Sequence, residues 1–375
     1  MGGSSYFSTF PAGFGGIIER IIHADYPETA ICRQYDNAVL HRSNERAALL
    51  SAPYFHNTFR AIELVECDPN DDLGVVAERL CRGIDGGALR DSMRGCRSFR
   101  VVFLRENLPV PVDEAIRARL EARITSLSGR PAARRGAETE VQVTLRREGV
   151  ALLLVRLRRS VRPAAGSPVG RPTVGRPTVG RPTVGRPTVG RPTVGRPPGM
   201  LGAEIGSLLC RYSEPSPDDV FLDPFCGYGG IFLERMRWKY RLAFAIDHDE
   251  RCVQSVRERL AESAKNWRKR TYVRTGDGTS LAELDTGFVT SIVTDPPWGE
   301  YDRGIDDPDA FYSKFLSAFS RVLAPDGTVV LLAGRAVAVE RILGSSSIPL
   351  RIDESCAVLV SGKKATVYRI RRATR

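Results

Sequence analysis

Short apolar runs alternate with amphipathic segments throughout the second half of the chain. The apolar runs occupy residues 219–225, 242–247, 271–277, 290–297 and 327–334. Between them, apolar positions recur at helical spacing in residues 228–240, 250–265 and 310–323. This alternation predicts a parallel β-sheet with helices on both faces. Two further strand patterns in residues 355–372 flank a Ser-Gly-Lys-Lys turn and predict an antiparallel hairpin at the end.

The first half of the chain predicts an α+β region with small elements. Residues 112–127 have helical periodicity, and residues 139–147 and 150–159 have strand patterns. Residues 6–22, YFSTFPAGFGGIIERII, predict a strand, a Pro-Ala-Gly turn and a helix. We therefore expect a smaller α+β domain ahead of the parallel sheet.

A five-residue repeat, Val-Gly-Arg-Pro-Thr, fills residues 169–198. Its regular prolines forbid a helix, and its regular glycines weaken a strand. Since the unit also has too little apolar side chain to bury a face, we predict an extended, largely disordered linker. The chain then divides into an N-terminal region (1–165), the linker (166–198) and a C-terminal domain (199–375).

The net charge of +11 is unevenly distributed. Residues 199–375 carry 25 basic and 24 acidic side chains, whereas residues 130–162 hold nine arginines and only three glutamates. Such a local excess of arginine predicts a nucleic-acid-binding patch. The candidate contact residues are Arg130, Arg134, Arg135, Arg156, Arg158 and Arg159.

Composition argues against several other classes of protein. The eight cysteines are isolated, with no CxxC pair and no paired histidine spacing, so neither a metal site nor a disulfide framework is expected. No apolar run approaches the ~18 residues of a membrane span. The first ten residues lack the basic and apolar blocks of a signal peptide. We expect a cytoplasmic protein without a membrane partner.

A glycine-rich segment, DPFCGYGG (223–230), lies between the first predicted strand and the first predicted helix of the sheet. Glycines there let the backbone approach a ligand, but the full GxGxxG of NAD sites is absent. Asp223, Asp247 and Asp277 each follow or end a predicted strand. Converging at one sheet edge, they predict an adenosine-containing ligand. Asp247 would bind ribose hydroxyls, and Asp277 would either bind the adenine amine or form a simple turn.

The fourth apolar run of the second half ends in TDPPWGEY, residues 294–301. Pro296 and Pro297 cannot continue a central strand, so the strand should end at about Asp295. What leaves the sheet is the Asp295 carboxylate, the rigid Pro296 carbonyl and the flat side chain of Trp298. This set suits a planar molecule that bears an amine.

Taken together, the loop, the acidic strand ends, DPPW and the hairpin resemble class I S-adenosylmethionine-dependent methyltransferases of the amino-methylating kind. The resemblance implies a Rossmann-like, mostly parallel seven-stranded sheet with a C-terminal antiparallel hairpin, and S-adenosyl-L-methionine as cofactor. The implied cofactor-binding residues are Asp223, Phe225, Cys226, Gly227, Gly229, Asp247, Asp277 and Gly278. The implied catalytic residues are Asp295, Pro296, Pro297 and Trp298.

The first half is similar to THUMP-domain RNA methyltransferases. Residues 6–21 resemble the start of that family, residues 98–159 the THUMP domain itself (about 75–160 in all), and residues 199–213 the lead into the catalytic domain. The resemblance implies tRNA or another structured RNA as partner and the N2 amine of a guanosine as target, and we expect a monomer. Trp298 departs from the family pattern, in which Tyr or Phe is more frequent, and the repeat is no part of it.

An exocyclic base amine is a poor nucleophile because its lone pair is delocalised into the ring. Acceptors at Asp295 and Pro296 can localise that pair, and Trp298 can stack on a flipped base. Three hypotheses follow: guanosine-N2 methylation of tRNA, adenine-N6 or guanine-N2 methylation of ribosomal RNA or DNA, and an RNA-binding protein without activity. Cys226 could act as a nucleophile in base-5 methylation, although a packing role suits the loop better.

Overall fold

The computed structural model describes residues 3–157, 200–263, 267–298, 305–334 and 339–373. The chain forms two compact units, residues 1–161 and 162–375. The predicted linker (166–198) and the candidate contact residues Arg158 and Arg159 lie outside the described residues.

The first unit is built on an eight-stranded sheet with the spatial order β2-β3-β1-β4-β8-β7-β5-β6. Its strands are β1 (Ser4–Thr9), β2 (Ala30–Tyr35), β3 (Ala38–Ser43), β4 (Asn57–Glu66), β5 (Phe99–Arg105), β6 (Leu108–Pro109), β7 (Thr139–Arg146) and β8 (Val150–Arg156). β5 and β7 are parallel, and the other neighbouring strands are antiparallel. Its helices are α1 (Gly15–Asp25), α2 (Arg46–Ser51), α3 (Leu73–Arg82), α4 (Gly86–Ser92) and α5 (Glu114–Ser128).

Strand β8 shows why its sequence is a continuous apolar run. Leu153 packs with Leu80 and Ile124 in one cluster, while Leu152 packs with Phe7 in another. Since neighbouring side chains of a strand point to opposite faces, both faces of the sheet are covered here. The strand, turn and helix predicted at residues 6–22, the helix predicted at 112–127 and the strands predicted at 139–147 and 150–159 are all present. The strands belong to one continuous sheet.

The second unit contains a seven-stranded sheet with the order β11-β10-β9-β12-β13-β15-β14. Its strands are β9 (Val220–Asp223), β10 (Leu242–Asp247), β11 (Thr271–Thr275), β12 (Val289–Thr294), β13 (Leu323–Gly334), β14 (Leu350–Val360) and β15 (Lys363–Arg372). Its α-helices are α6 (Ala203–Tyr212), α7 (Phe232–Arg235), α8 (Glu250–Ser263), α9 (Pro308–Val322) and α10 (Val339–Ser345). The first five strands are parallel, and β15 pairs antiparallel with both β13 and β14. The predicted mostly parallel sheet with its C-terminal hairpin is confirmed.

The prediction of a helix over residues 228–240 is wrong, because α7 spans only Phe232–Arg235. Gly229 before it has φ +86, a left-handed conformation that an α-helix cannot contain. After it, the buried Arg235 guanidinium donates to the carbonyls of Trp238 and Lys239, both at 3.3 Å, and so fixes a turn. Local sequence periodicity does not report these two constraints.

Across the described parts of both units, no helix is long and apolar enough to cross a membrane.

Candidate active site

Three acidic side chains lie at the carboxyl ends of neighbouring central strands. Asp247 ends β10, Asp223 ends β9, and Asp295 directly follows β12. These strands are adjacent and parallel, so their carboxyl ends lie at one edge of the sheet. The structure therefore brings together the acidic strand ends and the DPPW segment, as the sequence predicts.

The glycine loop closes over the end of β10. The Cys226 N–H donates to the Ile246 carbonyl at 3.0 Å, and the Gly227 N–H donates to Asp247 Oδ2 at 2.7 Å. Gly227 has φ +48 and Gly229 φ +86, which favour residues without a Cβ. Arg259, from α8, donates to the Tyr228 carbonyl at 3.2 Å and holds the loop from outside.

Asp247 accepts hydrogen bonds from two backbone N–H groups. Besides the Gly227 bond, its Oδ1 accepts from the Asp249 N–H at 3.0 Å, and the side chain is largely buried. His248 Nδ1 lies 3.4 Å from the same oxygen. The carboxylate is thus fixed in orientation, with lone pairs left over for ligand hydroxyls.

Asp223 is almost completely enclosed, at 1% exposure. Thr294 Oγ1, at the end of β12, donates to its Oδ1 at 3.0 Å. Burial raises the pKa of Asp223 to about 8; the Thr294 hydrogen bond opposes the rise, and the nearby charges of Asp247 and Asp295 add to it. The sequence did not reveal the role of Thr294, whose one signal was its place between the apolar run and DPPW.

Asp277 follows β11 and organises its own turn. Its Oδ1 accepts from the Thr279 N–H at 2.8 Å and from Thr279 Oγ1 at 2.6 Å, and Lys314 Nζ lies 3.6 Å from Oδ2. Burial pushes the pKa of Asp277 upward, but the Thr279 hydrogen bonds and the Lys314 ammonium together outweigh it, and the pKa is lowered. The adenine contact remains a prediction. At Gly278, a Cβ would collide with the Pro224 carbonyl, so glycine lets the two loops pack together.

Cys226 is buried, and Phe225 is half-buried and packs against the core. The Phe225 ring lies 5.8 Å from Phe311 and 5.3 Å from Phe315, between ring centroids. Burial raises the pKa of the Cys226 thiol well above its ordinary value, so it stays protonated near neutrality. A nucleophilic role for Cys226 is therefore disfavoured.

The DPPW segment leaves β12 one residue earlier than expected, at Thr294. Asp295 is half-buried, and its Oδ1 accepts a hydrogen bond from the indole Nε1–H of Trp298 at 2.8 Å. Pro296 is buried, and Pro297 is half-buried. The carboxylate, the prolines and the aromatic ring therefore form one fixed group beside Asp223.

The arginine patch of the first unit is partly neutralised. Arg134 forms an ion pair with Glu114, and Arg156 lies 3.7 Å from Glu140 while stacking over Phe59. Within the described ranges, Arg130 and Arg135 have no ion pair. Nor do the described residues contain a group of three or more His, Cys, Asp or Glu arranged to hold a metal ion.

Comparison with known proteins shows that the second unit is similar to methyltransferases. Residues 193–363 match the UPF0020 family, described as an RMKL-like methyltransferase domain. A tRNA (guanine(10)-N2)-dimethyltransferase of Methanothermobacter thermautotrophicus is 30% identical over 39% of this chain and 42% of its own length. The tRNA (guanine(6)-N(2))-methyltransferase THUMP3 of Mus musculus is 26% identical over 47% of this chain and 37% of its own length. The chain thus spans less than half the length of these relatives.

The fold also has a solved counterpart. The crystal structure of TrmN from Thermus thermophilus aligns with a TM-score of 0.67 and 21% identity, over 98% of this chain and 99% of that one. At this identity the likeness shows the fold alone, and it agrees with the expected class I methyltransferase architecture. Residues 193–363 of this chain are therefore similar to RMKL-like methyltransferase domains of the UPF0020 family.

Proposed function

We propose that this protein transfers a methyl group from S-adenosylmethionine to the N2 amine of a guanosine in tRNA. The observation that carries the proposal is the rigid Asp295-Pro-Pro-Trp298 exit of β12, beside the buried carboxylates of Asp223 and Asp247. The methyltransferase family supports the reaction, and the names of the two relatives support the guanine N2 amine and tRNA.

The donor set at this edge fits the cofactor. S-adenosylmethionine supplies a reactive methyl group on a positively charged sulfonium. Asp247, oriented by the N–H groups of Gly227 and Asp249, would accept from the ribose hydroxyls. The glycine loop allows close approach of the backbone, and the negative charges of Asp247 and Asp295, which oppose ionisation of Asp223, create a potential that suits a cation.

DPPW would bind the target base. The Asp295 carboxylate and the Pro296 carbonyl would accept hydrogen bonds from the amine and localise its lone pair, and Trp298 would stack on the ring. The bond from the Trp298 indole to Asp295 orders this group before the base arrives. Positioning of this kind contributes up to ~7–11 kcal/mol, and exclusion of water adds to it.

The first unit would bind the RNA. This part of the proposal relies on the resemblance of residues 98–159 to a THUMP domain, on the exposed Arg135 and on the half-exposed Arg130. In the proposed organisation, residues 1–165 hold the RNA, 166–198 connect the parts and 199–375 perform the reaction. A monomer in the cytoplasm is part of the same proposal.

The experiment is methyl transfer from S-adenosylmethionine labelled with tritium in the methyl group, using the purified full chain with tRNA, ribosomal RNA or duplex DNA. We expect label in tRNA alone, and a loss of ~10²–10³-fold in Asp295→Ala, because one transition-state acceptor is removed. The matched control is Asp285→Ala, an exposed carboxylate of the same unit. Label in DNA, or wild-type activity in Asp295→Ala, would contradict the proposal. A chain that binds tRNA but labels nothing would be an RNA-binding protein without activity.

A further inference from the structure

Gly334, the last residue of β13, lies directly against Trp298. A Cβ at position 334 would lie 2.7 Å from both Cβ and Cγ of Trp298 and 2.8 Å from its Cδ2. Real Cβ atoms essentially never approach another atom within 3.0 Å. These atoms are at the root of the tryptophan side chain, so a rotamer change cannot move all of them away. Position 334 therefore accepts only glycine while Trp298 stays in place.

Backbone conformation does not explain this glycine. Its φ is outside the left-handed region, in contrast to Gly227 and Gly229. The strand pairing of Gly334 with Ala365 of β15 is also regular. Since any residue could adopt this backbone, the contact with Trp298 is the physical reason for the missing side chain.

The far side of the same tryptophan is fixed as well. Its indole N–H donates to Asp295 Oδ1 at 2.8 Å, a hydrogen bond strengthened by the charge of the carboxylate. The Cβ and Cγ atoms of Trp298 thus occupy the space that a side chain at position 334 would need, and the indole N–H is fixed by its hydrogen bond to Asp295. Phenylalanine or tyrosine in this place would have no indole N–H to hold the carboxylate.

We propose that Gly334 is a positioning residue of the methyl-transfer site: it admits Trp298 to the place from which the indole N–H orients Asp295. The inference rests on the proposed function, in which Asp295 accepts from the target amine. A displaced Trp298 would release the carboxylate from its orientation, and a misplacement of ~1 Å at a reacting group can cost ~10²-fold in rate.

The test substitutes Gly334→Ala in the full chain, with Gly344→Ala as control because a Cβ there meets nothing within 4 Å. We expect kcat on tRNA to fall by roughly 10- to 100-fold in Gly334→Ala while cofactor affinity changes less than about threefold. Gly344→Ala should resemble the wild type. Trp298→Phe, which keeps a ring and removes the N–H, should also lower kcat without changing cofactor affinity.

A double-mutant cycle shows whether Gly334 acts through Trp298. Trp298→Gly removes all three atoms that the new Cβ would meet, so Gly334→Ala should cause no further loss in that background. An undiminished loss in that background would overturn the proposal, as would unchanged kcat in both Gly334→Ala and Trp298→Phe. If Gly334→Ala does not fold, Trp298→Phe decides alone: wild-type kcat contradicts the proposal.

Fluorescence separates this inference from the proposed reaction. The chain has three tryptophans, so the variant Trp238→Phe/Trp267→Phe reports Trp298 alone, without any substrate. Gly334→Ala should shift its emission maximum and increase its quenching by acrylamide. Unchanged emission would refute the contact. If the wild type methylates no RNA at all, the proposed function fails, and the emission still decides whether Gly334 positions Trp298.

Discussion

Removal of Asp247 and removal of Asp277, two carboxylates at the ends of neighbouring predicted strands, should have very different effects on cofactor binding. Asp247 is largely buried, and its two oxygens accept from the N–H groups of Gly227 and Asp249. Asp277 has a side chain that is 55% exposed and an Oδ1 engaged by Thr279. We therefore compare Asp247→Ala with Asp277→Ala.

The magnitude follows from the hydrogen bonds that each residue can make. In the proposed complex, Asp247 accepts from two ribose hydroxyls, and each bond to a charged group is worth about 1.5–3 kcal/mol. Losing both should cost about 3 kcal/mol or more, which is at least about 100-fold in Kd. The alanine also leaves the Gly227 and Asp249 amides without their acceptor, which loosens the glycine loop. For the exposed Asp277 we expect less than about 1 kcal/mol, a few-fold in Kd.

The assay is calorimetric titration of the full chain with S-adenosylmethionine, with thermal unfolding of each variant to show that it is folded. The expected result is a large loss in Asp247→Ala and a small one in Asp277→Ala. Asp247→Asn, which keeps one acceptor oxygen, should fall between the wild type and Asp247→Ala. An affinity in Asp247→Ala within about threefold of wild type would remove Asp247 from the site. An equally large loss in Asp277→Ala would show that Asp277 contacts the adenine.

Three further predictions concern protons and salt. The pKa of Asp223 is about 8 in the folded chain, and a cationic cofactor favours its ionised form. The affinity for S-adenosylmethionine should therefore rise between pH 6 and pH 8, by up to about tenfold per pH unit. Calorimetry should show this rise in the wild type but not in Asp223→Asn. Burial lowers the pKa of His41 to about 4, so on acidification the unfolded chain takes up a proton that the folded chain does not. The free energy of unfolding of the first unit should therefore fall by about 2 kcal/mol from pH 7 to pH 5. Amide exchange of β1 and β3 measures this loss, which should be absent in His41→Asn. Arg135→Ala should reduce the salt slope of tRNA binding by about 1, whereas Arg134→Ala, already paired with Glu114, should change it less; filter binding over a salt series measures both.

The sequence predicted the second unit better than the first because of where the strands lie. Strands such as β9 and β12 are covered on both faces, so they are continuous apolar runs that stand out from polar helix ends. Strand β2, AICRQY, is at the sheet edge and half-exposed, and its alternation is too weak to recognise. A tertiary constraint, the buried Arg235, ended α7 early although the local pattern favoured a longer helix.

The placement of the candidate site residues was predictable where they are contiguous in sequence. The DPPW segment and the acidic strand ends are local signals, because parallel strands bring their carboxyl ends to one edge. The bond from Thr294 to Asp223 and the contact of Gly334 with Trp298 join separate strands, so no local pattern contains them. Asp277 shows the opposite limit of local signals: the sequence suggested it as a ligand contact, but its Oδ1 already accepts hydrogen bonds from Thr279 that stabilise a turn.

The central claim is that the protein methylates a guanine amine of tRNA that the DPPW segment binds. The identity of the product tests this claim most directly. Unmodified tRNA would be incubated with the purified full chain and S-adenosylmethionine, digested to nucleosides and analysed by mass spectrometry against authentic standards. We predict N2-methylguanosine, absent when Asp295→Ala replaces the wild type. N6-methyladenosine in its place would contradict the choice of base while leaving the acceptor chemistry of Asp295 and Pro296 standing.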